Sequence, residues 1–136
     1  MDAKRFEYSA TLERDGAIVA EGTSRVELGD PWLPEHLVLV AVAQCTLTSL
    51  RYYARRTSIE ASAEVAGVVT RREEDGLYAL VEIEVLLDVQ LEPEPPAEEL
   101  GKLLARAERG CFVGNSLTAH PATVWRVNGE LAEAAA

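Results

Sequence analysis

The chain reads as an α+β protein, and three features say so. Polar and apolar residues alternate over several strand-length stretches, a 14-residue run from Leu37 to Leu50 carries no charge on any helical face, and turn residues join most strands as hairpins. The expected order is β-β-β-α-β-β-α-α-β. A single domain is expected over residues 1–130, with a frayed tail over 131–136, where the sequence becomes alanine-rich.

The elements follow in order. Phe6, Tyr8, Ala10 and Leu12 alternate with Glu7, Ser9, Thr11 and Glu13, the period of a half-buried strand. Arg14-Asp15-Gly16 is a turn, because Asp-Gly supplies the positive φ of tight hairpins. Residues 17–21 form the return strand and residues 23–28 a third. Gly29-Asp30-Pro31-Trp32-Leu33 is a loop, and Pro34 opens a helix whose expected span is Pro34 to Arg56. Apolar or small and neutral on every face from Leu37 to Leu50, this helix is expected to be buried and central. Arg51, Arg55 and Arg56 suit its carboxyl end. Two long strands, 59–72 and 77–92, meet at Glu74-Asp75-Gly76. Pro93, Pro95 and Pro96 end the second strand. Ala97 to Arg109 is amphipathic, with Leu100, Leu103, Leu104 and Ala107 inward, and Gly110 stands where a carboxyl cap is expected. A short helix over 111–117 and a strand over 122–127 complete the list.

Charge and length exclude several functions. With 23 acidic and 13 basic residues the chain carries a formal charge of −10, the wrong sign for nucleic acid as main partner. The charge-free run is shorter than the roughly 20 residues a membrane-spanning helix needs. The amino terminus has no apolar signal core. A cytoplasmic, reducing location is therefore expected, where two cysteines are more often free, catalytic or redox-active than structurally paired.

Cys45 lies mid-helix and Cys111 at an expected helix start, where backbone N–H groups favour a thiolate. Cys45 has no such help from its own helix and needs a cation from elsewhere. On position alone each reads equally as a small buried hydrophobe.

The surrounding residues change that balance. Pro34-Glu35-His36-Leu37 ten residues before Cys45, the Ala41-x-Ala43-x-Cys45 pattern, the long hairpin and Gly110-Cys111-Phe112-Val113 together resemble the OsmC/Ohr family, the osmotically inducible and organic hydroperoxide resistance proteins. The resemblance covers nearly the whole chain. It implies an intertwined homodimer and a thiol-dependent hydroperoxide reductase with neither metal nor other cofactor. By the same resemblance Cys45 matches the cysteine that attacks the O–O bond and Cys111 the one that resolves the sulfenic acid as a disulfide. Glu35 matches the glutamate that holds an active-site arginine, and Arg14 matches that arginine; Arg25 is its rival. An external dithiol, often a lipoylated protein, restores the thiols in this family. The chain departs from the family where a Gly-rich loop often precedes Pro-Glu, and at Phe112, where proline is common. Glu35 and Cys45 on one straight helix lie roughly 15 Å apart along its axis, so an Arg–Glu–Cys cluster needs a folded-back loop or a second subunit.

The remaining polar and aromatic residues have plainer readings. His36 and His120 with the two cysteines match no zinc spacing. Trp32 reads as a loop anchor or as the wall of an apolar pocket; Trp125 reads as a strand-face residue. Tyr52 and Tyr53 pack or solvate the end of the long helix, Asn115 and Ser116 serve backbone hydrogen bonds, and Glu98-Glu99 favours a helix start. Three other functions stay open at this point: a hot-dog acyl-thioester hydrolase, a non-catalytic small-molecule binder, and a redox sensor without turnover.

Overall fold

A computed structural model describes residues 3–29 and 32–136. Asp30 and Pro31 of the expected loop, and Met1 and Asp2, lie outside the described residues. The chain divides into two compact units, Met1–Pro34 and Glu35–Ala136.

In the amino-terminal unit β1 (Ala10–Leu12) and β2 (Ile18–Ala20) pair antiparallel around Arg14-Asp15-Gly16. Gly16 takes φ +90°, and the Asp15 carboxylate accepts the Ala17 N–H at 3.0 Å. The ladder is shorter than the alternation predicts. Gly22, at φ +72°, turns the return strand after Ala20, and among the described residues no strand pairs with residues 6–8. The expected third strand over 23–28 shrinks to one bridge, Val26 with Ile18.

The second unit opens with α1 (Pro34–Tyr53), then the hairpin β3 (Ser58–Arg71) and β4 (Tyr78–Glu92). After these come α2 (Ala97–Arg109), α3 (Phe112–Ser116), β5 (Ala122–Val127) and β6 (Glu130–Ala132). The sheet order is β3-β4-β5-β6, with only β4 and β5 parallel. That parallel pair is what the α2–α3 crossover connects. At the β3–β4 turn Asp75 accepts from Arg72 at 2.6 Å and from the Leu77 N–H at 3.0 Å.

One face of this sheet carries the core. Ile83, Val85, Leu87, Val89 and Leu91 alternate inward along β4, in register with Gly67, Val65, Ala63, Ala61 and Ile59 of β3. Trp125 and Val127 of β5 share the core with them. Against this face pack Val42, Ala43, Leu47 and Leu50 of α1 and Leu100, Leu104 and Ala107 of α2. Trp125 is 1 % exposed, the strand-face role expected of it. Within one chain, α1 is buried on one side only, since Leu37 and Val40 remain exposed. The helix also stops three residues short of the expected Arg56.

The tail expectation needs correction. Asn128 and Gly129 both take positive φ, 50° and 87°, the two-residue turn that Asn-Gly favours, and this returns the chain as β6. The Asn128 side chain grips Leu91 at both its N–H and its carbonyl, 2.9 and 3.1 Å. Further on, the Ala135 N–H donates to Gly101 at 2.8 Å. Much of 131–136 is therefore held by backbone hydrogen bonds.

Gly110 stands at the expected carboxyl cap of α2, but with φ −81°, so handedness is not why it is glycine. The reason is space: a Cβ there would lie 2.4 Å from Ser49 Oγ on α1 and 3.3 Å from the Arg106 carbonyl. Gly110→Ala is expected to cost about 1–3 kcal/mol in a denaturant titration. In a Ser49→Ala background, which removes the obstructing hydroxyl, the cost should fall by more than half. Equal costs in the two backgrounds would refute the steric account.

Candidate active site

The close approach at Gly110 delivers the next residue, Cys111, against α1. Cys111 is 3 % exposed and is the amino-terminal cap of α3, its sulfur accepting the Gly114 N–H at 3.3 Å. In the other direction its thiol donates to the Val42 carbonyl at 3.7 Å, three residues before Cys45 on α1. Gly114 is buried, and a Cβ on it would stand 3.3 Å from the Cys111 sulfur. The Gly-Cys-x-x-Gly spacing of residues 110–114 encodes this packing, though its geometry shows only once α1 is in place.

Cys45 and Cys111 are both free thiols, and Cys111, bonded to α1 at Val42, lies close enough to Cys45 to act on its ionisation. Burial pushes the Cys45 thiol above its ordinary pKa. The Cys111 sulfur adds to that rise, while the N–H groups of Val113 and Phe112 oppose it and lose. The start of α3 thus offers its N–H groups to Cys45 as well as to its own cap, a partner the sequence did not suggest for the mid-helix cysteine. Phe112, where the family commonly has proline, leaves its ring 62 % exposed beside this pair.

Glu35 lies exposed in the first turn of the same helix as Cys45. Ten residues of helix set the two roughly 15 Å apart along the axis, so they do not meet within one chain. The two candidate arginines belong to the amino-terminal unit. Arg25 is committed there, its guanidinium bonded to Glu13 at 3.0 Å and to Asp15, with Glu27 at 3.7 Å. Arg14 is exposed at the hairpin turn and makes no ion pair among the described residues.

The side chains given plain readings behave accordingly. Asn115 donates to the Arg109 carbonyl at 3.0 Å and Ser116 to the Phe112 carbonyl at 2.8 Å. Tyr52 and Tyr53 stack edge to face with centroids 5.1 Å apart, and the Arg55 guanidinium lies 5.0 Å over the Tyr52 ring. Among the described residues no three His, Cys, Asp or Glu side chains converge as metal ligands, and no helix is long and apolar enough to cross a membrane.

The capping role of Cys111 separates its two natural substitutions. Cys111→Ser keeps an acceptor for the Gly114 N–H and a donor for Val42, whereas Cys111→Ala loses both. Alanine is expected to be less stable than serine by about 0.5–2 kcal/mol in chemical denaturation. A serine variant no more stable than the alanine one would remove the cap from this account.

The OsmC-like protein family model matches residues 29–126. No curated protein sequence matches the chain. Among solved structures, an OsmC-like protein of unknown function from Vibrio cholerae is 16% identical, covers 90% of this chain and 100% of its own, and superposes with a TM-score of 0.66. An OsmC-like protein from Mycoplasma pneumoniae is 17% identical, with 93% and 99% coverage and a TM-score of 0.67. The organic hydroperoxide resistance protein of Bacillus subtilis is 19% identical, with 90% and 98% coverage and a TM-score of 0.58. These likenesses carry the fold, and the family match, which spans well over half of the chain, carries membership: this α+β chain, with its paired thiols between α1 and α3, belongs to the OsmC family.

Proposed function

We propose that the protein is a thiol-dependent peroxidase that reduces organic hydroperoxides through Cys45 and Cys111. The observation that carries this reading is the docking of Cys111 on the helix that holds Cys45, its thiol bonded to the Val42 carbonyl and both cysteines free. Solved relatives named as organic hydroperoxide resistance proteins support it.

In the proposed cycle the Cys45 thiolate attacks one peroxide oxygen. The O–O bond breaks, the alcohol leaves with a proton, and Cys45 becomes a sulfenic acid. Cys111 then attacks the Cys45 sulfur, water departs, and a disulfide forms. An external dithiol, such as a lipoylated protein, supplies two electrons and two protons to restore both thiols. That exchange requires a compartment that keeps dithiols reduced, the cytoplasm.

Burial and the neighbouring Cys111 sulfur disfavour the Cys45 thiolate, so the reading requires a cation to favour it. Arg14 is proposed for that role, steadied by Glu35; its freedom from ion pairs supports it over the committed Arg25. Because Glu35 stands about 15 Å from the Cys45 of its own chain, the cluster is proposed to draw on two chains of a homodimer. The exposed Leu37 and Val40 on the charge-free stretch of α1 support such an interface.

Turnover of cumene hydroperoxide and hydrogen peroxide with dihydrolipoamide tests the cycle. Wild type is expected to consume the organic peroxide faster, and Cys45→Ser to fall to the uncatalysed rate. Cys111→Ser should form a trappable sulfenic acid without turnover under dithiol-limited conditions. Wild type as inert as Cys45→Ser would end the peroxidase reading. For the arginine, the rate of Cys45 alkylation by iodoacetamide is expected to reach half-maximum at higher pH in Arg14→Ala than in wild type. An unchanged profile would exclude Arg14.

A further inference from the structure

A second site lies away from the thiols. A cavity of about 510 Å³ opens between the carboxyl end of α1 and one face of α2. Arg55 and Arg56 border it from just beyond α1. Lys102 and Arg106 border it from α2, on the helical face that Glu99 and Leu103 share. Thus 4 of the chain's 13 basic residues line a single cavity in a protein of net charge −10.

Helix-end electrostatics explains part of this, since cations suit helix carboxyl ends. It does not explain why both helices turn their cations towards the same space. Nor are these charges neutralised nearby. Arg55, Arg56 and Arg106 form no ion pair among the described residues, and Lys102 reaches only the exposed Glu98, at 3.7 Å. Glu99 is the one carboxylate on the lining. Like charges gathered around a concavity favour an anion that answers several of them at once. Guanidinium forks match phosphate oxygens in particular. The Tyr53 ring and Leu103 add an apolar wall, and the volume falls within the range of small-molecule pockets.

We propose that this cavity binds a phosphorylated small molecule, its phosphates held by Arg55, Arg56, Lys102 and Arg106 and its organic part against Tyr53 and Leu103. The site is independent of the peroxidase reading.

Calorimetric titration of the full chain with pyrophosphate and with ATP tests it. Saturable binding near one per chain is expected, weakened several-fold between about 50 and about 300 mM salt. Affinity should fall at least about tenfold in Arg56→Ala/Arg106→Ala, and partly recover in Arg56→Lys/Arg106→Lys, which restores charge without the fork. Arg126→Ala, on β5, and Cys45→Ser should bind as wild type does. No saturable binding of either probe, as expected if the cavity instead receives an acidic protein segment, would overturn the proposal. So would a double-alanine variant that keeps the wild-type circular dichroism spectrum and binds undiminished.

Discussion

Everything around the thiols depends on how closely the end of α2 can approach α1. At Gly110 there is no room for a methyl group, because Ser49 Oγ occupies the space a Cβ would take. That contact draws the following residue, Cys111, out of solvent, where its sulfur must find polar partners. It finds them in the Gly114 N–H and the Val42 carbonyl. The same two bonds start α3 and fix it against α1, which brings the α3 N–H groups to Cys45 as well. A larger residue at 110 would therefore disturb more than a helix end. It would move a sulfur, a cap and the polar surroundings of a second sulfur together.

The electrostatics of Cys45 are unfinished within residues 35–136. Burial disfavours its thiolate, the neighbouring sulfur adds to that, and two N–H groups answer only in part. A half-buried thiol left in this state is chemically quiet. Residues 37–50 of α1 carry no charge, so that stretch has no cation of its own to offer. Any activation must come from outside that helix, which is why the unengaged Arg14 and a second chain enter the functional reading together.

Legibility in the sequence followed the range of the interactions. Local rules place the start of α1, the β3–β4 hairpin and α2 to within a residue, because apolar periodicity and turn chemistry act over a few positions. Pairing partners were harder. Residues 6–8 alternate as a strand does, yet the turn at Gly22 leaves them without a mate, and residues 23–28 keep one bridge for the same reason. The carboxyl end differs for another reason. Asn128-Gly129 is a strong hairpin signal, but the alanines that follow it have little strand character. In the site, residue types pointed to both cysteines, but nothing local reveals that Val113 and Phe112 turn their N–H groups towards a residue almost 70 positions earlier.

The distribution of charge completes the argument. Excess carboxylate over the whole chain repels anions at long range, so any anion bound must be held at short range by cations arranged for it. The second unit meets that condition at the mouth between α1 and α2, where unpaired guanidinium groups share one cavity. The thiol site obeys the opposite rule. In the proposed cycle its chemistry begins with a neutral, partly apolar peroxide that the global field neither attracts nor repels, so that reading needs one positive charge at the sulfur and an apolar rim around it. The same net charge therefore suits both sites, leaving each to be selected by what lies within a few ångströms.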